Sequence, residues 1–150
     1  MVVFTDYRCP ACRRADPEMR RAVQADGGVT VVYKDWPIFG DRSERAARVA
    51  LASARQGIYP AVHHAFMDAP TLDEPTLRAL IERAGGDWTR LEIDLHRNAT
   101  SIDEQLARNA GQAFALGLGG TPGYLIGTLR VRGAQEEGKF RAAFDAARSR

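Results

Sequence analysis

Cys9-Pro10-Ala11-Cys12 joins the apolar run Val2-Val3-Phe4 to a stretch with helical character, and these are the only two cysteines in 150 residues. One helical turn across that spacing brings two sulfurs within reach of each other, so the pair can open and close as a disulfide. A thiol at the start of a helix also meets unpaired N–H groups and the positive end of the helix dipole. Both favour the thiolate, the form that attacks disulfides. The chain is thereby constrained to end a strand and begin a helix at the same point.

Other uses of paired cysteines fit less well. A structural zinc site needs four ligands, but there is no second cysteine pair, and His63, His64 and His96 lack finger-type spacing to Cys9 and Cys12. Copper trafficking also uses paired thiolates, yet no methionine adjoins these and the chain exceeds what a small metal carrier needs. A purely structural disulfide closing so short a loop would remove little entropy from the unfolded chain. Thiol–disulfide exchange is the favoured chemistry, with no metal expected.

At this length one domain spanning residues 1–150 is expected, with enough chain to bury a core. A net charge of +2 argues against a dedicated nucleic-acid binder. Arg8, Arg13, Arg14, Arg20 and Arg21 crowd the cysteine segment. They read either as a solvated helix face or as charges that hold Cys9 as thiolate and bias partner choice. No stretch is long and apolar enough to span a membrane. Met1 runs directly into Val2-Val3-Phe4 with no basic leader or cleavage site, an abrupt start for a central strand. Such a start leaves room for an upstream leader and a further edge strand without requiring either, and export cannot be read from these residues.

The pattern predicts a strand over 2–6, a helix over about 10–25 with Pro10 in its first turn, and a β-branched strand over 29–33. Strand, helix, strand implies a parallel pair with a right-handed crossover. A helical block follows. Asp41 with Glu44 predicts a cap for a helix through Arg55, Pro60 opens a second, and Leu77, Leu80, Ile81 and Ala84 mark a third. Trp88, Leu91 and Leu95 suggest a short fourth. Ser101 with Glu104 reads as the capping box of a fifth, with Ile102, Leu106, Ala113 and Phe114 inward. Gly117 to Gly120 stop it. Strands over 124–126 and 129–131 then reverse at Gly127-Thr128, and a last helix covers about 135–148. The fold class is α/β: a mixed four-stranded sheet flanked by helices, with a helical insertion over about 41–116 between the second and third strands.

This order, the strand that leads through Phe4-Thr5-Asp6-Tyr7-Arg8 into the cysteine pair, and the distant Gly120-Thr121-Pro122 resemble the thioredoxin fold with a helical insertion. More narrowly, the chain is similar to bacterial DsbA-type thiol–disulfide oxidoreductases, as is Asp35-Trp36-Pro37-Ile38-Phe39-Gly40 after the second strand. The resemblance covers nearly the whole chain and implies roles. Cys9, exposed at the helix start, would be the nucleophile and Cys12, shielded one turn inside, would resolve the mixed disulfide. Pro122 would be a cis-proline facing the pair. The Thr121 backbone, with Pro10 and Ala11, would meet an extended substrate segment. Two departures follow: many relatives carry a glutamate six residues before the first cysteine, where this chain has Val3, and Pro-Ala lacks the histidine found between the cysteines of the strongest oxidants. The acid that would relay the Cys12 proton is thus missing from its place, and Cys9 is expected to be less acidic than the roughly 3.5 extreme.

The reading is a monomeric oxidoreductase that forms disulfides in exported client proteins, with the Cys9–Cys12 disulfide as its only redox group and no separate cofactor. The resemblance further implies a periplasmic or cell-envelope location and a membrane, quinone-linked redox partner. A reductase of the same fold is the rival within this chemistry; a non-catalytic adaptor or metal-binding module is the rival outside it. An isomerase is disfavoured, since this length leaves no room for a separate dimerisation domain. His63-His64 is expected either to overhang the site or to lie on the surface or partly buried in a helix.

Overall fold

A computed structural model describes residues 1–149. The elements run β1 (Val2–Thr5), α1 (Pro10–Asp26), β2 (Val32–Asp35), α2 (Asp41–Ser53), a 3-10 turn (Ala54–Gln56), α3 (Tyr59–Asp68), α4 (Glu74–Arg83), α5 (Trp88–Arg97), α6 (Ala99–Ala115), β3 (Gly123–Ile126), β4 (Leu129–Arg132) and α7 (Glu137–Arg148). The sheet order is β2-β1-β3-β4. β1 pairs parallel with β2 (Val2↔Val32) and antiparallel with β3 (Val2↔Leu125), and β3 pairs antiparallel with β4. This is the thioredoxin fold with helices inserted between β2 and β3.

The alternation of β1 divides the interior. Val3 joins Met19, Ala22, Tyr124, Ile126, Phe140 and Phe144 in the layer under α1 and α7. Phe4 points the other way, to Trp36, Ala113 and Leu118. Period-two side chains on a strand covered on both faces produce this split. A third cluster unites the inserted helices with the start of α1, through Val49, Ala50, Val62, Phe66, Leu77, Ile81 and Leu91 packed with Tyr7, Cys9 and Cys12. The alanines of α2 allow that close approach. Among the described residues no helix is long and apolar enough to cross a membrane.

The structure corrects several expectations. β2 occupies Val32–Asp35, not 29–33. Val29 and Val31 pack against the core, but the ladder with β1 fixes Val32 opposite Val2, so pairing overrides β-branched propensity. Asp41 does not cap α2: Gly40, at φ 88°, is the N-cap, and Asp41 and Glu44 sit in the first turn beside the positive dipole end. The Ser101–Glu104 capping box is absent because α6 begins at Ala99, with only Asn98 separating it from α5. The inward face of α6 is Ile102, Leu106, Asn109 and Ala113. Phe114, one residue further round, is 66% exposed and edge-on to Trp36 at 5.4 Å between ring centroids.

Asp6 fixes the loops that flank the cysteines. Its buried carboxylate accepts the N–H groups of Arg8 (2.7 Å), Ile38 (2.7 Å) and Phe39 (3.1 Å) and the Ser43 hydroxyl. One side chain thereby joins the β1–α1 turn to the β2–α2 loop and to the first turn of α2. Asp6→Ala leaves these donors without their acceptor; a loss of at least about 3 kcal/mol is expected, since each unmatched buried group costs about 1–3 kcal/mol. Urea unfolding of the reduced protein measures it.

Candidate redox-active site

Cys9 is the N-cap of α1. Its extended backbone (φ −69°, ψ 117°) turns the chain into the helix, Pro10 fills the first turn, and its sulfur accepts the Cys12 N–H at 3.2 Å. The cap role that oxygen usually fills is taken by sulfur. Both cysteines are free thiols. Pro10 is exposed and Ala11 half-buried, so the rim of the turn faces solvent.

From the other side comes the turn after α6. The Thr121–Pro122 peptide is cis, and the Thr121 carbonyl lies 3.4 Å from Cys9 Sγ, able to accept its S–H. Gly123 begins β3 against Leu118: a Cβ there would stand 2.6 Å from Leu118 Cδ1, so glycine allows the turn to sit this close. Thr121, Pro122, Cys9 and Cys12 are thus brought together from opposite ends of the chain. Cys9 is less open than expected. The residue is 1% exposed, because the Thr121–Pro122 turn and the neighbouring core cover it.

The two sulfurs differ electrostatically. The Cys12 thiol beside Cys9 does most to lower the Cys9 pKa; burial opposes it, and the Thr121 side chain and the N–H groups of Cys12 and Ala11 add to the lowering. The balance brings Cys9 down to about 6, so roughly nine-tenths is thiolate at pH 7. Burial, reinforced by its hydrogen bond to Cys9, pushes Cys12 far up and keeps it a thiol. No arginine is among the main influences on Cys9, and four of the five are engaged elsewhere. Arg8 donates to the Phe39 carbonyl, Arg13 to those of Tyr7 and Ala69, Arg20 pairs with Asp16 and Asp68, and Arg21 with Glu18 and Glu137. They act as structural ties and surface pairs.

His63 neither overhangs the site nor lies at the surface. It is fully buried behind Cys12, its Nδ1 3.1 Å from the Tyr7 hydroxyl. A small cavity beneath the cysteines is lined by Val3, Thr5, Cys12, Asp16, Met19, Tyr33, His63 and Tyr124. Asp16 was not legible as a site residue, although the i, i+4 spacing of Cys12 and Asp16 on one helix was a usable signal; His63 was singled out with His64, but not its place behind Cys12. A wider depression lined by Ala65, Ala69, Pro75, Leu80 and Arg83 includes neither cysteine and plays no part in this chemistry.

The lowered Cys9 pKa has a signed consequence. Its stabilisation of the reduced fold is complete above the unfolded pKa near 9, shrinks below it and is lost as pH falls through about 6. Cys12, shifted upward, contributes fully below about 9 and does not alter that trend. Thiolate absorbance should titrate with a midpoint near 6. Cys12→Ala, which removes the largest lowering influence, should move the midpoint toward the ordinary range, and the stability of reduced relative to oxidised protein should rise between pH 6 and 9. A midpoint unmoved by Cys12→Ala would contradict this assignment.

Comparison with known proteins places this geometry. A family model described as DSBA-like thioredoxin domain matches residues 1–145. A thioredoxin-like oxidoreductase from Silicibacter pomeroyi DSS-3 is 37% identical with a TM-score of 0.93, over 99% of this chain and 86% of that one. The thiol-disulfide exchange protein alpha-DsbA2 from Wolbachia pipientis is 26% identical with a TM-score of 0.90, over 97% and 79%. A periplasmic thioredoxin-like protein from Salmonella enterica serovar Typhimurium is 27% identical with a TM-score of 0.85, over 99% and 83%. Among curated proteins, a Na(+)/H(+) antiporter NhaA 1 from Mycolicibacterium vanbaalenii matches at 25% identity over 99% of this chain; the chain spans about a quarter of that protein's length. With its free cysteine pair at the head of α1 and the family match running almost from end to end, the chain belongs to the DSBA-like thioredoxin-domain family of thiol–disulfide oxidoreductases.

Proposed function

We propose that this protein donates disulfides to client proteins through Cys9 and Cys12, with Cys9 as the attacking and attacked sulfur and Cys12 as the resolving one. The observation that carries the reading is the asymmetry of the pair: a sulfur lowered to about 6 at the helix cap beside one held protonated in the interior. A client thiolate attacks Cys9 of the oxidised form, Cys12 leaves, and a second client thiolate displaces Cys9 from the mixed disulfide. The client loses two electrons and the cysteine pair gains them. An extended client segment would lie along the Thr121–Pro122 turn, where backbone groups stand beside Cys9, with Pro10 and Ala11 at the rim. No separate cofactor is needed. A membrane redox partner would reoxidise the pair, the protein would act as a monomer, and the periplasm or cell envelope would be its compartment; a periplasmic thioredoxin-like relative supports the last of these.

A reductase remains the second reading, because a Cys9 value of about 6 lies nearer the value of about 7 in thioredoxin than the roughly 3.5 of the strongest oxidant. A potential between about −120 and −270 mV is expected, since a less stabilised thiolate makes a weaker oxidant. Equilibration with glutathione decides direction: a value above about −200 mV supports donation, and one near −270 mV supports reduction. Cys12→Ser should trap clients on Cys9 as mixed disulfides that reductant releases. A variant that traps nothing would return the chain to the adaptor or metal-carrier reading.

A further inference from the structure

We propose that Asp16 and His63 form a buried acid–base pair that holds the proton of Cys12 during exchange, supplied by α1 and α3 in place of the strand carboxylate that Val3 lacks. This rests on the exchange reading. Asp16 follows Cys12 by four residues, on the same face of α1. Its side chain is 4% exposed and that of His63 is 0% exposed, with His63 Nε2 3.5 Å from Asp16 Oδ1. Cys12, Asp16 and His63 line one cavity together with Val3 of β1. The cavity is about 10 Å³, close to what a single water occupies. An acid projecting from α1 reaches the space that a side chain longer than valine would enter from β1.

Two of these atoms lack a hydrogen bond, although one of them is held in an ion pair. Asp16 Oδ2 and His63 Nε2 are buried without a hydrogen-bond partner; Arg20 Nε approaches Oδ2 to 3.0 Å as an ion pair, but off the hydrogen-bond line. Buried groups left this way are costly, and a proton passing between them and Cys12 gives them a use. The Tyr7 hydroxyl, pushed by burial to remain protonated, lies 3.1 Å from His63 Nδ1, within hydrogen-bond distance. The other groups facing His63 and Asp16 are Cys12 and Arg20 on α1, Tyr33 and Asp35 on β2, Tyr59 and His64 on α3, Asp68 at the end of α3, and Tyr124 on β3. Asp35 already accepts the Tyr59 hydroxyl at 2.9 Å.

The proton count closes. When a client thiolate attacks Cys9 of the oxidised pair, the Cys9–client bond forms and the Cys9–Cys12 bond breaks. Cys12 leaves as thiolate and takes the proton held by the pair. A second client thiolate then forms the client disulfide and releases Cys9 as thiolate. Two electrons pass from client to enzyme; Cys12 keeps the proton that the pair gave up, and the client's two protons go to solvent. In reverse, Cys12 gives its proton to the pair before it attacks Cys9.

The test is stopped-flow reaction of the reduced protein with 5,5′-dithiobis(2-nitrobenzoate) from pH 5 to 9. The first thionitrobenzoate reports attack by Cys9, and the second reports resolution by Cys12. With Asp16→Asn or His63→Gln, the second phase should slow about tenfold at pH 7 and its rising limb should move up by about one pH unit, a shift typical of losing one interacting charge. Asp16→Glu should restore most of the rate, and the first phase should stay within about twofold. The sign decides: losing a bystander negative charge would ease Cys12 ionisation and move the limb down. A downward or absent shift overturns the proposal, as does a shift produced by Asp35→Asn and not by Asp16→Asn.

Zinc binding by the Cys9→Ser/Cys12→Ser protein, abolished by His64→Gln, would also overturn it. Asp16, His63 and His64 present donor atoms within 4.8 Å of one another, and that result would make the cluster a metal site. If the variants do not fold, the wild type still decides: the His63 ring nitrogens should shift between oxidised and reduced protein at pH 7, and unchanged resonances overturn the pair. Failure of the second phase in the wild type itself would count against the exchange reading.

Discussion

The structure turns on a sulfur that caps a helix. Cys9 Sγ accepts the Cys12 N–H at 3.2 Å, so one interaction starts α1, sets the separation of the two sulfurs and stabilises negative charge on the outer one. A serine or aspartate would cap the helix as well or better, but neither could exchange a disulfide. The capping bond and the chemistry therefore share an atom. Oxidation commits Cys9 to Cys12, while reduction leaves a thiolate that still answers the N–H groups at the head of the helix.

Around that atom the chain converges from three directions. Asp6 gathers the donors of the β1–α1 turn and the β2–α2 loop, and the Thr121–Pro122 turn closes over Cys9 from the start of β3. Each of these segments has a backbone hydrogen bond or two, such as Cys9 N–H to the Asp6 carbonyl and Gly133 N–H to that of Pro122, and further ties hold them in place. Their order comes from a buried carboxylate on one side and from Gly123 packed against Leu118 on the other. Site geometry is thus set by polar satisfaction more than by apolar packing. That suits a surface which must receive an extended segment without collapsing onto it.

Most of the fold was legible because it rests on local signals. The cysteine spacing, Pro10, the apolar stripes of α3, α4 and α7, and the Gly127-Thr128 reversal all act over a few residues. What was not legible depends on partners distant in sequence. The register of β2 is fixed by β1, the exposure of Phe114 by which face of α6 meets Trp36, and the burial of Cys9 by a turn more than a hundred residues away. Asp16 escaped for the same reason, and the depth of His63, a residue the sequence does single out, is set only when α3 packs on α1. The valine at position 3 was visible, but the carboxylate that shares its cavity was not, since an acid can enter one cavity from strand or helix with no common sequence position.

The helical insertion therefore bears on the chemistry itself. It buries Cys12 to 2% exposure, and that burial pushes the resolving thiol upward while its S–H helps pull Cys9 down. The same packing that creates the asymmetry also removes the Cys12 sulfur from solvent. A thioredoxin-fold sheet with its cysteines at the surface would have less need of an internal acceptor. Once α2 and α3 cover the inner sulfur, an acceptor must be built inside, and α3 brings His63 against Asp16 in the course of covering it. Burial of one sulfur and provision of a partner for its proton are two results of a single helix packing.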